Sequence, residues 1–381
     1  MYNPADQNTS MDTACVHAGE EKLEARFGLN TPVVTSSAFD YTDGEVRYPR
    51  YHNSLNHQVV AAKIAQLEGA ESGLVTASGM GAISAIFMAL MKPGDHAVLL
   101  DGLYGGTTDL IEGLLIPSGF RFSIWDGDPD HLASLITPHT RLVMVESPTN
   151  PLMQVVDLEH TAAVAREHDI VSVIDNTFAT PVVQRPIEHG FDLVVHSGTK
   201  YLGGHSDLLC GTLTGNRALI ERLHPMVVRL GSSLNGQDLY LLERSLKTLA
   251  LRVRQQSANA LELAQRLEAH DSIDEVLYPG LPDHPGHAIA VKQMNGFGGM
   301  LSFRLGEKRD PTQLLEVLEL IRPAISLGGV ETTISQPSRS SHAKLSETER
   351  QRLGIDDRLF RLSTGIEGIE DLWHDLRNGL A

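Results

Sequence analysis

The chain has 381 residues, with 48 acidic against 31 basic side chains and a net charge of −17. That balance argues against a nucleic-acid binder, which needs clustered Lys and Arg for phosphate contacts. Hydrophobic residues make up 41% and charged residues 21%, which excludes a disordered chain and supplies a large core. Cys15 and Cys210 allow one disulfide. A chain this long does not need it, so a reducing cytoplasm is expected. The N-terminus carries Asp6 and Asp12 and lacks the basic-then-apolar secretory pattern. Residues 72–91 hold no charge, but Ser72, Gly73, Thr76, Ser78, Gly79, Gly81 and Ser84 interrupt them. A strand, a glycine turn and a buried helix are expected there, not a membrane span.

Residues 1–55 are mixed and turn-rich and read as an extended N-terminal arm. Residues 56–67 have helical apolar spacing through Val59, Val60, Ile64 and Leu67. A β/α alternation follows, with strands at 73–76, 96–100, 120–125, 142–145, 171–174 and 193–195 and helices at 82–91, 107–115 and 158–168. Alternation of this kind implies a mostly parallel sheet covered on both faces. The pattern changes after about residue 215. Residues 237–268 read as one long helix or two in series, followed by strand 299–305, helix 312–321 and strand 359–363. The expected organisation is a large α/β domain over 56–236, then a linking helix and a smaller α/β domain over 237–381.

The sharpest local signal is Ser197-Gly198-Thr199-Lys200-Tyr201-Leu202-Gly203-Gly204-His205. A lysine at the end of a buried strand needs a reason, because lysine is normally kept in water. Partial desolvation makes it a nucleophile able to form a Schiff base, and Ser197 and Thr199 can donate to a phosphate beside it. A surface loop would read the same way. Strand 171–174 ends in Asp175, 25 residues before Lys200. Ligands of open α/β sheets bind at the carboxyl ends of strands, and pyridoxal phosphate asks for a lysine and an acid together. Asp175 is equally a plain turn residue on its own. Thr76-Ala77-Ser78-Gly79-Met80-Gly81-Ala82 is a glycine turn opening a helix, a weak phosphate signal that fits neither Walker A nor GxGxxG. Residues 126–137 fail as a calcium loop at His131 and Thr137. His284 and His287 lack a zinc pattern, and no GxSxG elbow occurs.

Taken together, these residues resemble the transsulfuration branch of fold-type I pyridoxal-phosphate enzymes, the family of cystathionine γ-synthase, cystathionine γ-lyase, cystathionine β-lyase and methionine γ-lyase. The resemblance runs from Val16-His17-Ala18-Gly19 to Arg361-Leu362-Ser363-Thr364-Gly365-Ile366-Glu367. Tyr104-Gly105-Gly106-Thr107, Glu146-Ser147-Pro148-Thr149-Asn150-Pro151 and Ser326-Leu327-Gly328-Gly329-Val330-Glu331 lie between. It implies a seven-stranded type of sheet. Lys200 would be the Schiff-base lysine and proton shuttle, and Asp175 the partner of the pyridinium nitrogen. Tyr104 would stack on the ring and serve as acid or base, and Asn150 would bond the phenolic oxygen. Gly79, Met80, Ser197 and Thr199 would hold the phosphate. Tyr48 and Arg50 would reach it from a neighbouring subunit. Arg361 would clamp the substrate carboxylate with help from Ser326. The resemblance further implies a small amino-acid substrate, no nucleic-acid or membrane partner, and a homodimer at minimum, with a homotetramer expected.

The departures bear on substrate. The family's Asn-Pro-Thr after the Tyr-x-Arg is Asn53-Ser54-Leu55 here. Two acids typical of cystathionine γ-lyases align by eye with Arg47 and Ser335, and the cysteine of methionine γ-lyases with Gly106. The expected reaction is γ-elimination from a γ-substituted amino acid such as cystathionine, methionine, an O-acylhomoserine or canavanine. γ-Replacement and β-elimination are the alternatives.

Overall fold

The computed structural model describes residues 9–20, 28–343 and 346–380; residues 1–8 and 21–27 of the expected arm lie outside them. Its first sheet has seven strands in the order β1-β7-β6-β5-β4-β2-β3. These are β1 (Ser72–Thr76), β2 (His96–Leu100), β3 (Arg121–Trp125), β4 (Thr140–Glu146), β5 (Val171–Asp175), β6 (Leu193–His196) and β7 (Gly211–Gly215). Only β7 runs against its neighbours. Strands β2, β6 and β7 are buried along their whole length, as a sheet covered on both faces requires. That is why their sequences are continuous apolar or small-residue runs instead of alternating ones.

The helices follow in chain order: α1 (Met11–His17), α2 (Leu55–Glu68), α3 (Gly79–Leu90), α4 (Gly105–Leu110), α5 (Pro129–Leu135), α6 (Leu158–Glu167), α7 (Thr180–Val183), α8 (Arg217–Leu230), α9 (Gly236–Leu246), α10 (Leu249–Glu268), α11 (His287–Gln293), α12 (Pro311–Val317), α13 (Glu347–Arg352) and α14 (Ile369–Leu380). Helices α9 and α10 resolve the expected long element into two, broken at Lys247 and Thr248. Helix α4 passes into a π-helical turn over Ile111–Leu115. The helix expected at 312–321 ends at Val317 instead. The Asp375 carboxylate accepts from the backbone N–H of Glu319, Leu320 and Ile321 at 2.9, 3.1 and 2.8 Å, drawing them out of helical bonding.

The second sheet has the order β10-β11-β12-β9-β8, with β8 (Ile273–Leu277), β9 (Met300–Leu305), β10 (Arg322–Pro323), β11 (Thr333–Ser335) and β12 (Leu359–Ser363). It packs its own core of Phe303, Phe360, Leu301 and Leu362 against α10 and α14. The reading of residues 1–55 as an arm needs one addition. Helix α1 buries Ala14 and Cys15, and the buried Lys63 ammonium of α2 donates to the carbonyls of Cys15 and Val16, both at 3.0 Å. Cys15 and Cys210 are both free thiols. Among the described residues no helix is long and apolar enough to cross a membrane, and no His, Cys, Asp and Glu group can hold a metal ion.

Where the arm meets α2 and α8, His52 stacks edge-on with His57 and His224 at centroid distances of 5.1 and 6.1 Å. Burial, then the charge of His224, holds the His52 imidazole down at about 4. Its unfolded value is about 6.5, so the neutral ring stabilises the fold fully above that value. The contribution is lost as pH falls from 6.5 towards 4. His52→Asn is therefore expected to flatten the pH dependence of unfolding free energy across that window by up to about 1.4 kcal/mol per pH unit. Urea unfolding at several pH values measures it.

Candidate active site

The carboxyl ends of β4, β5 and β6 open on a cavity of about 550 Å³. Gly79, Met80, Tyr104, Asn150, Asp175, Ser197, Thr199, Lys200, Ser326 and Arg361 all line it. Tyr48 and Arg50 stand apart, on the exposed turn before α2. There Arg50 donates to the Val228 carbonyl at 3.2 Å and lies over the Tyr51 ring at 5.1 Å.

The floor is a pair of carboxylates. Glu146 ends β4, Asp175 ends β5, and the two are register partners. Asp175 Oδ1 accepts from Thr177 N at 3.0 Å and from Thr177 Oγ1 at 2.5 Å. Glu146 accepts from Asn150 N at 2.8 Å and Tyr104 N at 3.1 Å, so it sets the positions of both residues. Burial and then the neighbouring Asp175 charge push Glu146 well above the usual carboxylate range. Burial raises Asp175 too, against the opposing pull of the Thr177 hydrogen bonds, His196 and Lys200. In the sequence reading Glu146 was quoted as the start of a motif and given no role, although it carries the signal that exposed Asp175: an apolar strand ending in an acid.

Lys200 sits in the turn after β6, with its N–H on Ser197 O at 3.1 Å. Burial, then Arg361, lowers its ammonium from the ordinary lysine range, with Asp175 opposing. Arg361 comes from β12 of the second sheet. Its Nη1 donates to Asn150 Oδ1 at 2.8 Å and its Nη2 to the Ser326 carbonyl at 3.4 Å, while the buried Nε has no partner among the described residues. Burial lowers this guanidinium to about 10, so it stays charged at neutral pH. Ser326 presents its carbonyl from a positive φ of 86°, a backbone setting that costs about 1–3 kcal/mol and gathers at functional sites.

Two glycines are fixed by close approach. A Cβ at Gly106 would lie 2.5 Å from Tyr104 Cε1, so any side chain there would displace the Tyr104 ring. A Cβ at Gly79 would lie 3.0 Å from Ser197 Cα and Cβ, closing the space where the start of α3 meets the β6 turn. Ser78 caps α3 by accepting from Gly81 N at 3.0 Å. The N–H groups of Gly79 and Met80 begin the helix without intrahelical acceptors.

Pyridoxal phosphate fits this donor set. Its phosphate would meet the start of α3 and Ser197. Its ring nitrogen would meet Asp175, and its aldehyde Lys200. Because Arg361 occupies Asn150 Oδ1, the Asn150 amide N–H₂ is left to donate to the phenolic oxygen. Thr199 fits less simply, since its Oγ1 already accepts from Cys210 N at 3.0 Å and donates to Cys210 O at 3.2 Å.

Neither of the two positions aligned for substrate choice is among the residues lining this cavity. Ser335 lies on β11 as the register partner of Arg361, with a buried hydroxyl lacking a partner among the described residues. Arg47 is exposed and paired with Asp43 and Glu45. The cavity mouth is lined instead by Leu209, Ile325, Asp109 and Glu112, with Ile325 84% exposed. Counting residues along a loop does not tell which one turns inward.

Comparison with known proteins agrees with this geometry. The family model described as Cys/Met metabolism PLP-dependent enzyme matches residues 12–381. A cystathionine beta-lyase of Coxiella burnetii is 42% identical over 98% of this chain and 99% of its own. A cystathionine gamma-synthase/O-acetylhomoserine (thiol)-lyase of Bacillus subtilis is 42% identical over 97% of this chain and 96% of its own. The crystal structure of cystathionine gamma-lyase from Lactobacillus plantarum, complexed with L-serine, superposes with a TM-score of 0.94 at 38% identity, covering 97% of this chain and 98% of that one. With a pyridoxal-phosphate cradle at the sheet's carboxyl edge and end-to-end similarity to these proteins, the chain belongs to the Cys/Met metabolism family of PLP-dependent enzymes.

Proposed function

We propose that this enzyme expels a sulfur- or oxygen-linked group from the γ-carbon of an amino acid. The observation that carries the reading is the placement of Lys200 and Arg361, from two different sheets, on one cavity with room beyond them for a substituent. The bound cofactor supplies an electron sink for the pair released when the Cα–H bond breaks. Arg361 holds the α-carboxylate through its unpartnered Nε, which fixes which Cα bond faces Lys200. Lys200, favoured as the neutral amine by burial, takes the Cα proton at Nζ, and a second proton must leave Cβ before the γ-substituent can be expelled. Asp175 holds the proton on the ring nitrogen. Tyr104, half-exposed at the rim, is placed to give a proton to the departing group.

The distal substituent meets Asp109 and Glu112 beside the apolar Leu209 and Ile325. This wall accepts a cationic group. The test is an amino-acid panel assayed for products. Cystathionine giving cysteine and α-ketobutyrate supports γ-elimination. Homocysteine and pyruvate would establish β-elimination, and thiol-dependent consumption of O-acetylhomoserine would establish replacement. In the same panel, Asp109→Asn and Glu112→Gln are expected to lower kcat/KM for cationic distal groups by roughly two- to fivefold each, the range of exposed ion pairs, and to spare neutral ones.

The reading extends to a cytoplasmic homotetramer built from dimers. Tyr48 and Arg50 lie outside their own cavity, so a neighbour's phosphate is their proposed target. Mixing inactive Arg50→Ala with inactive Lys200→Ala is expected to restore activity, because some hybrid dimers carry one site with both native residues. No recovery after verified subunit exchange would refute the sharing.

A further inference from the structure

Successive side chains of a strand point to opposite faces, and the ends of β5 and β6 use this alternation. On the cavity face, Asp175 Oδ1 accepts from Thr177 Oγ1, which in turn accepts from Ser197 N at 2.9 Å. Behind them lies a second array. Glu68, the last residue of α2 and fully buried, accepts on Oε1 from Asn176 Nδ2 at 3.1 Å, and the same oxygen lies 2.5 Å from His196 Nε2. Asn176 also donates to Gln184 O at 2.9 Å and accepts from Gln184 Nε2 at 3.1 Å. His196 immediately precedes Ser197, and Asn176 immediately follows Asp175.

Asn176 Nδ2 donates to Glu68 Oε1, and His196 Nε2 lies against the same oxygen, so ring and carboxylate share one proton between them. The carboxylate is wholly buried, and among the described residues its one salt-bridge partner is His196. An unpaired charge there would be strongly disfavoured. The group able to share that charge is the His196 ring, whose Nδ1 is buried without a partner among the described residues.

We propose that Glu68 and His196 form a buried ion pair behind the sheet that positions Asp175 and keeps it ionised against the cofactor's ring nitrogen. The pair does so in two ways. Glu68 ties the ends of β5 and β6 together, which holds Asp175, Thr177 and Ser197 in register. The imidazolium also adds positive charge behind Asp175, one of the influences opposing the effect of burial on that carboxylate. The other charges facing Asp175 are Glu146 on β4 and Lys200 after β6, with Arg361 of β12 acting on both Glu146 and Lys200. Glu68 and His196 are thus positioning residues, touching neither substrate nor cofactor.

The inference rests on Asp175 being the ring-nitrogen partner, so Asp175→Asn is the control. Holoenzymes of the native protein, Glu68→Gln, His196→Gln and Asp175→Asn are compared by the pH midpoint of the cofactor's visible absorbance, its release rate and thermal melting. Glu68→Gln keeps the shape and removes the charge. It is expected to move the midpoint by about one pH unit, a tenfold change in the equilibrium. Cofactor release should quicken about tenfold, and kcat should fall with KM nearly unchanged. His196→Gln should do the same, and the double variant no more than either single, as members of one pair behave. Folded single variants with lowered melting points but native midpoints and release rates, alongside a shifted Asp175→Asn, would overturn the proposal. Native values in Asp175→Asn itself would overturn the reading of Asp175. Failure of both single variants to give folded holoenzyme would mark the pair as purely structural and reject the proposal.

Discussion

Lys200→Ala is expected to reduce turnover by about 10²–10⁴, the range for loss of a general acid–base group. The residue lies in the turn after β6 with its amine made less basic by burial and by Arg361. Alanine leaves that turn intact, because the backbone N–H on Ser197 O and the carbonyl bonded by Gly204 N need no side chain. The variant should therefore fold and keep the phosphate cradle of Gly79, Met80 and Ser197. Keto-acid release measures the loss. Borohydride reduction of the native holoenzyme, followed by peptide mapping, should place the cofactor on Lys200; a label on another lysine would reverse the assignment.

Arg361→Leu is the second large effect. Each charge-assisted hydrogen bond is worth roughly 1.5–3 kcal/mol, and a substrate carboxylate accepting two would lose about 10²–10⁴ in kcat/KM. The loss should fall mainly on KM for full amino acids and be small for analogues lacking the α-carboxylate. The same change frees Asn150 Oδ1 and removes a positive charge near Glu146, so a modest loss of thermal stability should accompany it. Steady-state kinetics on paired substrates separate the two contributions. Equal losses with and without the carboxylate would show that Arg361 is a packing residue.

What the sequence made legible follows from where its signals are local. Asp175 and Lys200 each follow an apolar strand, so β5 and β6 could be placed and the carboxyl edge of the sheet named. Strand β7 is not among the expected strands, because Gly-Thr-Leu-Thr-Gly holds a single apolar residue. Its burial comes from lying between β1 and β6, a long-range fact. The same limit applies to the arm, where α1 is held by Lys63, 48 positions from Cys15. Glu146 was locally visible but unremarkable until its pairing with Asp175 became known. Ser335 shows the same limit, because its place beside Arg361 comes from β11 pairing with β12, which no local motif gives.

The joint construction of the cavity has a thermodynamic consequence. The proposed cofactor cradle belongs to the first sheet and the proposed carboxylate clamp to the second, and each sheet has its own core. A ligand bound by both adds a tie between two sheets already joined by a shared core that includes Val75, Tyr201, Leu246, Val253 and Met300. At a hundred times its dissociation constant such a ligand adds about 2.7 kcal/mol to the folded state, and only while both sheets are in place. Occupancy thus couples the unfolding of the two halves more tightly than their shared core does alone, so a well-fed enzyme is a more cooperative object than a starved one.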